Sequence, residues 1–418
     1  MRDFIRRINH GIYDLFYIWK HELVMTIKDT VILIFFIIVP LVYPILYGLI
    51  YNTEVLHDVP VAVVDNSRTA LSREYLRKVD ATSDVSIFSY CANMEDAKEL
   101  MARKQVYGII EVPNSFSDDI VEGIQTHVSV FCNMSGLLYY KCILLANTEV
   151  SLDMNADIKM ARTNNTTTRE DEITTMPIAY REVTYFNPQN GFASFLLPAV
   201  LVLLIQQTLL LGIGLSVGTT RYSSRTGQMI PNNPHYRGTF RTVLGKSLCY
   251  LMIYLVMTSY LFCVVPKFFS LVQLSNIKDL FFFSLPYILA CIFFAMTISV
   301  VVYSREECMM YFVFTSVPLL FLSGISWPAS AIPDFWRYVS YIFPSTFGVR
   351  GFVHLNTLGA SLQEIAFEYK ALWIQTGIYF VTAIVVYHGQ VEIRLKEVKG
   401  IIDKIRAKRK ILLHKDKE

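Results

Sequence analysis

Apolar residues gather in six stretches that contain no Asp, Glu, Lys or Arg: Thr30–Tyr51, Phe192–Val217, Ser247–Val265, Leu280–Tyr303, Met309–Trp327 and Ala371–Tyr387. Each is close to the roughly 20 residues a helix needs to cross a hydrocarbon core of about 30 Å. A Leu, Ile or Phe near the bilayer centre favours insertion by about 0.3–0.6 kcal/mol, and a central charge opposes it by about 2.5–3.5 kcal/mol. With no charge to overcome, insertion wins in every stretch. The pattern predicts an α-helical membrane protein with about six transmembrane helices, over residues 30–51, 192–217, 247–265, 280–303, 309–327 and 371–387.

The pattern changes abruptly between the first two stretches. Val59–Val64 is a compact strand-like run closed by Asp65-Asn66-Ser67. Asp84–Tyr90, Val106–Val112 and His127–Cys132 also read as strands. Thr69–Val79, Met94–Lys104, Ser115–Gly123 and Leu137–Arg162 read as helices. Alternation of this kind predicts an inserted α/β domain over residues 52–190. Its one polar, low-complexity tract, Asn164–Asp171, is expected to be a mobile loop.

Three further segments complete the organisation. Before the first span, Phe4, Ile8, Ile12, Phe16, Trp19, Leu23 and Ile27 recur at steps of three and four, with Arg2, Arg6, Arg7, Lys20 and Lys28 on the polar side. Residues 1–29 are therefore predicted to form an amphipathic helix, at the cytoplasmic interface or against protein. Residues 328–370 are apolar and aromatic but broken by Pro328, Pro333 and Pro344. A re-entrant or interfacial helical segment on the outer side accounts for that combination, because irregular backbone survives at membrane depth only when packed in protein. Residues 388–418 carry Val391, Leu395, Val398, Ile402 and Ile405 at helical spacing, followed by a basic run, and predict a cytoplasmic helix that touches anionic lipid or a partner.

Composition adds little to this picture, but charge orients it. The chain has 418 residues, 53% hydrophobic and 17% charged. Segments 1–29, 218–246, 304–308 and 388–418 hold 5, 5, 1 and 10 Lys or Arg. The alternate short loops hold two (Lys267, Lys278) and three (Arg337, Arg350, Lys370). The positive-inside rule then puts both termini in the cytoplasm and residues 52–190 outside. The first apolar run is long enough to span and lacks a small-residue cleavage site, so it reads as a retained anchor. Of the seven cysteines, Cys132 and Cys142 are the pair that could bridge in an oxidising compartment.

Candidate chemistry is sparse. Spans without ionisable groups argue against coupling to a proton or sodium gradient. Gly245-Lys246-Ser247 matches the end of a phosphate-binding loop, but Phe240 stands where its first glycine belongs. Lys246 is instead expected to anchor the cytoplasmic end of the third span. An intramembrane enzyme would have to use groups such as His354 with Asp334 or Glu364, with no supporting motif. A membrane-anchored assembly or receptor platform, working through the inserted domain, is the other alternative. No metal-ligand cluster and no basic surface for nucleic acid are expected.

Several strings together resemble the ABC-2 type permeases, the membrane subunits of a class of ATP-binding-cassette exporters. They are VPVAVVDNSRTALSREYL (59–76), MEDAKELMARKQVYGIIEVPNSFSDDIVEG (94–123), NPQNGFASFLLPAVLVLLIQQTLLLGIGL (187–215) and FLSGISWPASAIPDFWRYVSYIFPSTFGVRGF (321–352). The likeness is greatest to bacterial members with a large external domain after the first span. It implies a permease in the bacterial inner membrane that moves a hydrophobic or amphipathic molecule outward as a homo- or heterodimer. ATP and magnesium would be bound by separate cytosolic ATPase subunits, with no cofactor on this chain. A periplasmic adaptor and an outer-membrane channel are further implied partners, beside membrane lipid.

By the same resemblance, the second and fifth spans line the substrate path, at Gln206, Gln207, Ser316 and Phe321. The loop over 218–246 docks on the ATPase, through Arg221, Arg225, Thr226, Gly227, Gly245 and Lys246. Its string GTTRYSSRTGQ lacks the acidic stretch common in the family. The signature before the last span is carried by Ser323, Gly324, Trp327, Pro328, Pro333 and Pro344.

Overall fold

The computed structural model describes residues 2–51, 55–162, 167–176, 187, 191–224, 227–231 and 233–415. Within its terminal helices the side chains of residues 2–9 and 394–415 lie outside that description, and with them Arg2, Arg6, Arg7 and the basic tail. The chain divides into two compact units, Met1–Asn52 with Tyr185–Glu418, and Thr53–Thr184.

The chain starts with α1, Arg2–Lys28. Asp29 separates it from α2, Thr30–Ile50, by accepting hydrogen bonds from the Val31 and Ile32 N–H groups at the new helix start. A π-helical turn at Ile34–Ile38 ends two residues before Pro40. Its wider spacing accommodates a residue that has no N–H to give and whose ring crowds the preceding turn.

In the second unit, four strands and four helices alternate: β1 (Val59–Asp65), α3 (Ala70–Asp80), β2 (Val85–Tyr90), α4 (Met94–Ala102), β3 (Gly108–Val112), α5 (Phe116–Glu122), β4 (Ser129–Cys132) and α6 (Leu137–Arg162). The sheet order is β2-β1-β3-β4. The first three strands are parallel and β4 runs antiparallel to β3, with Ile109 opposite Phe131. Alternate residues of β1 serve two cores. Val59, Val61 and Val63 pack with Tyr75, Leu76, Ile143 and Ala146 of α3 and α6, while Ala62 and Val64 pack with Ala97 of α4. Burial on both faces explains why β1 is an unbroken apolar run.

The helix starts in this unit follow local chemistry. Thr69 and Ser72 form a reciprocal capping box, and Asn93 caps α4 through the Asp96 N–H. A second box, Thr167 with Glu170, starts a short helix α7, Thr168–Thr175. The polar tract expected to be a loop is therefore helical in its second half, while Asn164 to Thr166 lie outside the described residues. Cys132 and Cys142 are free thiols, which leaves the possible bridge unformed.

The first unit resumes with α8 (Phe192–Ser223), α9 (Thr239–Phe268), α10 (Ile277–Val301), α11 (Arg305–Leu322), α12 (Asp334–Ser340), α13 (Pro344–Asn356) and α14 (Ala366–Lys415). Five helices among the described residues are long and apolar enough to cross a membrane: α2, α8, α9, α10 and the stretch Ala366–Ile393 of α14. The stretch Met309–Trp327, expected to be another span, falls on α11. That helix has 18 residues, opens with Arg305, Glu306 and Glu307, and ends at Leu322. The described helices therefore support a multi-pass protein with at least five candidate spans.

Helix α8 is the hub of this unit. Its most apolar window is 78% buried, against 28% for α2 and for α14. It packs on α10, α13, α11 and α2. Close approach depends on glycine at the α8–α2 crossing, where a Cβ on Gly212 would lie 2.6 Å from Phe36, and at the α13–α10 crossing, where one on Gly348 would lie 2.3 Å from Tyr287. The predicted proline-broken segment resolves into α12 and α13, and α13 is seated among α8, α10 and α14.

Candidate functional site

Two places in the first unit concentrate polar chemistry. One joins α1 to α9 and to the connection between α8 and α9. The other is a cavity between α8, α13 and the turn after α11.

The first is built on α1. Ile18 is buried, and one turn further on the same face stands Glu22, 3% exposed. Lys246 of α9, itself wholly buried, brings its ammonium to 2.9 Å from Glu22 Oε1. The contact is an ion pair that lacks hydrogen-bond alignment. Two phenols complete the carboxylate's shell, Tyr236 O–H donating to Oε1 at 3.1 Å and Tyr250 O–H to Oε2 at 3.2 Å. Burial, and then the adjacent Glu22 carboxylate, push the Tyr236 phenol far above its ordinary value, so it remains a donor. A buried carboxylate is tolerable only with such a set of partners.

Further along α1, Asp14 accepts from Arg241 Nη1 at 2.9 Å and contacts His235 Nδ1 at 2.7 Å. Tyr17 O–H accepts from Asn233 Nδ2 at 2.9 Å, and His21 Nδ1 lies 2.9 Å from the Tyr236 hydroxyl. At the base of α2, Asp29 pairs with Arg305 of α11 and accepts from Thr219 of α8. Together these contacts tie α1, the α8–α9 connection and the starts of α9 and α11.

Several expectations change here. Helix α8 runs on to Ser223 and α9 begins at Thr239, so the connection is shorter than the predicted 218–246 loop. Gly245 and Lys246 lie inside α9, not in a loop and not as a surface anchor. A Cβ on Gly245 would press on Ile18 at 2.8 Å, which is why α1 can approach close enough for Glu22 to reach Lys246. Arg221 is buried near the end of α8, donating to Val300 O at 2.9 Å and lying 4.4 Å over the Tyr303 ring. The helices therefore run beyond the charge-free stretches 192–217 and 247–265, and these extensions carry the buried charges Arg221 and Lys246. Gly227 has φ +65, a left-handed turn. Arg225 and Thr226 lie outside the described residues.

The expected path residues separate. Gln206 is buried, and its Oε1 accepts the Ser345 N–H at 2.6 Å, capping the start of α13. Gln207 is also buried, with neither amide atom bonded. Ser316 bonds back to Val313 O within α11, and Phe321 is 55% exposed. Gln206 and Gln207 are thus buried in α8, while Ser316 is half-buried and Phe321 exposed on α11.

Of the signature residues, Ser323 and Gly324 share a cavity wall. Gly324, at φ +88, turns the chain after α11 and, with Ser323, lines a cavity of about 440 Å³. Phe195, Ala199, Val349, Arg350 and His354 share its wall. Trp327 Nε1 donates to Ala331 O at 3.3 Å, and Pro328, Pro333 and Pro344 each stand at the start of a short helix. The acids that sequence offered to His354 are engaged elsewhere. Asp334 pairs with Arg337, and Glu364 accepts the Ser361 N–H and hydroxyl.

Comparison with known proteins accords with this architecture. The profile of the family described as "ABC-2 family transporter protein" matches residues 30–385. Among curated proteins, "ABC transporter G family member 20" of Dictyostelium discoideum is 20% identical over 363 residues, 85% of this chain and 47% of that protein. The chain thus spans about half the length of the curated relative it matches. It belongs to the ABC-2 transporter family, as a membrane component.

Proposed function

We propose that this chain is the permease subunit of an ATP-driven exporter that moves a hydrophobic or amphipathic molecule out of the cytoplasm or inner leaflet. ATP and magnesium bind a separate cytosolic ATPase, and a second permease completes the path. Both termini and the α8–α9 connection face the cytoplasm, residues 52–190 lie outside, and α11 serves as a sixth, shorter span. The inner membrane of a bacterium, with an adaptor and an outer-membrane channel beyond it, is the setting this reading carries.

One observation carries it: the charged knot of Glu22, Lys246, Asp14, His235 and Arg241 joins an interfacial helix to a short interhelical connection. A push on that connection would reach α1, α9 and, through Asp29 and Arg305, α11. Such a lever suits a permease moved by a partner. The test is purification of the tagged chain in mild detergent. An ATPase with a phosphate-binding loop should co-purify and lose stoichiometry when the α8–α9 connection is cut out. Failure to recover any ATPase would overturn the reading.

A second reading has one observation in its favour. The α/β domain has an open groove of about 580 Å³, walled by Tyr75, Phe116, His127, Asn147 and Arg162 among others, which would suit a platform that binds a partner there. Export activity lost on deleting only that domain would not separate the two; unimpaired ATPase recovery favours export.

A further inference from the structure

Among the described residues, Arg350 has no carboxylate partner. It sits on α13, seated among α8, α10 and α14, and two of its guanidinium nitrogens, Nε and Nη2, are buried with no hydrogen-bond partner. The Tyr341 ring lies 5.9 Å from its guanidinium carbon. The acids nearest to it in sequence are engaged elsewhere, Asp334 with Arg337 and Glu364 with Ser361. Arg350 as a whole is half-buried, and a guanidinium with two nitrogens buried and unpartnered in a membrane protein is a place where an anion can supply the missing partner.

The cavity beside it has the right construction to receive that charge. Its volume, about 440 Å³, is within the range of small-molecule sites. Most of its wall is apolar, from Phe195, Ala199, Ile325, Val349 and Val353, and its ionisable groups are Arg350 and His354. Among the described residues no acidic residue lines it. An apolar wall with a single fixed cation selects for a tail and an anionic head together, because the guanidinium offers a carboxylate or phosphate two parallel donors.

We propose that this cavity binds the anionic head of an amphipathic molecule, with Arg350 as the residue that holds the head. This narrows the exporter reading above and rests on it only for the identity of the molecule as cargo. The shared chemistry also fits an anionic bilayer lipid, and the experiment separates the two sources.

The test uses the purified full-length chain in nanodiscs of zwitterionic lipid, with decanoate and decanol as a matched pair measured by equilibrium dialysis. Decanoate should bind saturably and more tightly than decanol. Arg350→Gln should weaken decanoate about tenfold, the scale of one charge-assisted contact, and leave decanol within about twofold. Arg350→Lys, which keeps charge in a well-folded protein, should retain the preference for decanoate. Val353→Trp, which fills the cavity, should weaken both. Equal binding of the two probes, or an Arg350→Gln effect shared by both, overturns the proposal. Adding phosphatidylglycerol to the nanodiscs separates the sources: competition with decanoate identifies a lipid headgroup, and indifference to it identifies cargo, the anion site standing in either case. Binding needs no ATPase, so a missing preference for decanoate overturns the anion site alone, and a failed ATPase co-purification overturns the exporter reading alone.

Discussion

Glu22 of α1 and Lys246 of α9 stand 2.9 Å apart, with 4% and 1% of their side chains exposed. Few positions in a chain tolerate that degree of burial for two opposite charges. The desolvation of each ion is offset only while the other, and the hydroxyls of Tyr236 and Tyr250, remain in place.

Breaking the pair from one side should therefore cost far more than removing it whole. Glu22→Leu or Lys246→Met alone should destabilise by about 3–5 kcal/mol, and the double variant should recover most of that loss. Denaturation midpoints of the detergent-solubilised protein give the cycle. Additive losses in the double variant would show that the two side chains do not act together.

Glycine at the α13–α10 crossing should be far less replaceable than glycine in the last helix. Gly348→Ala would force its new Cβ against Tyr287, whose hydroxyl donates to Val202 O at 2.6 Å. Over-packing of this kind costs about 1–3 kcal/mol. Gly377 has nothing within 4 Å of an added Cβ, so Gly377→Ala should be neutral or slightly stabilising. Parallel thermal unfolding of the two variants makes the comparison.

Gln206 should behave as a helix cap and not as a wall of a path. Gln206→Leu leaves the buried Ser345 N–H without its acceptor, a loss of about 1–3 kcal/mol. Amide exchange should rise at the start of α13 while export, in whatever protein still folds, keeps its substrate preference. A changed preference with unchanged exchange would return Gln206 to the path.

The α/β domain should show a pH response traceable to one lysine. Lys78 lies 2.9 and 2.8 Å from Asp153 and Asp157, and hydrogen bonds to Asp157, then Asp153, raise its pKa. A raised pKa means the contribution is complete below the unfolded lysine value of about 10.4 and is lost as pH rises through the folded one. All three side chains are partly exposed, so its size is only about 0–1 kcal/mol. Lys78→Met should lower the domain's unfolding midpoint at pH 8 and bring it level with the native chain at strongly alkaline pH.

The local features of the fold were readable before any packing was known. Alternating strands and helices between residues 59 and 162 rest on periodicities of two and 3.6, which depend on neighbours only a few positions away. The same holds for the apolar helices, whose length and composition are enough to mark them. One local signal, the Thr167–Glu170 capping box, makes a helix of what reads as a polar loop.

What no local reading could supply is who meets whom. Tyr236 and Glu22 are 214 residues apart, and Tyr250 and Glu22 are 228. Lys246 at the edge of an apolar run looks like any basic anchor, and Arg350 in its string looks like any outer-loop charge. Only packing decided that one is paired and the other is not. The reason is physical: a charge's environment is set by the elements folded around it, and those are chosen by shape and burial across the whole chain, not by the residues beside it in sequence.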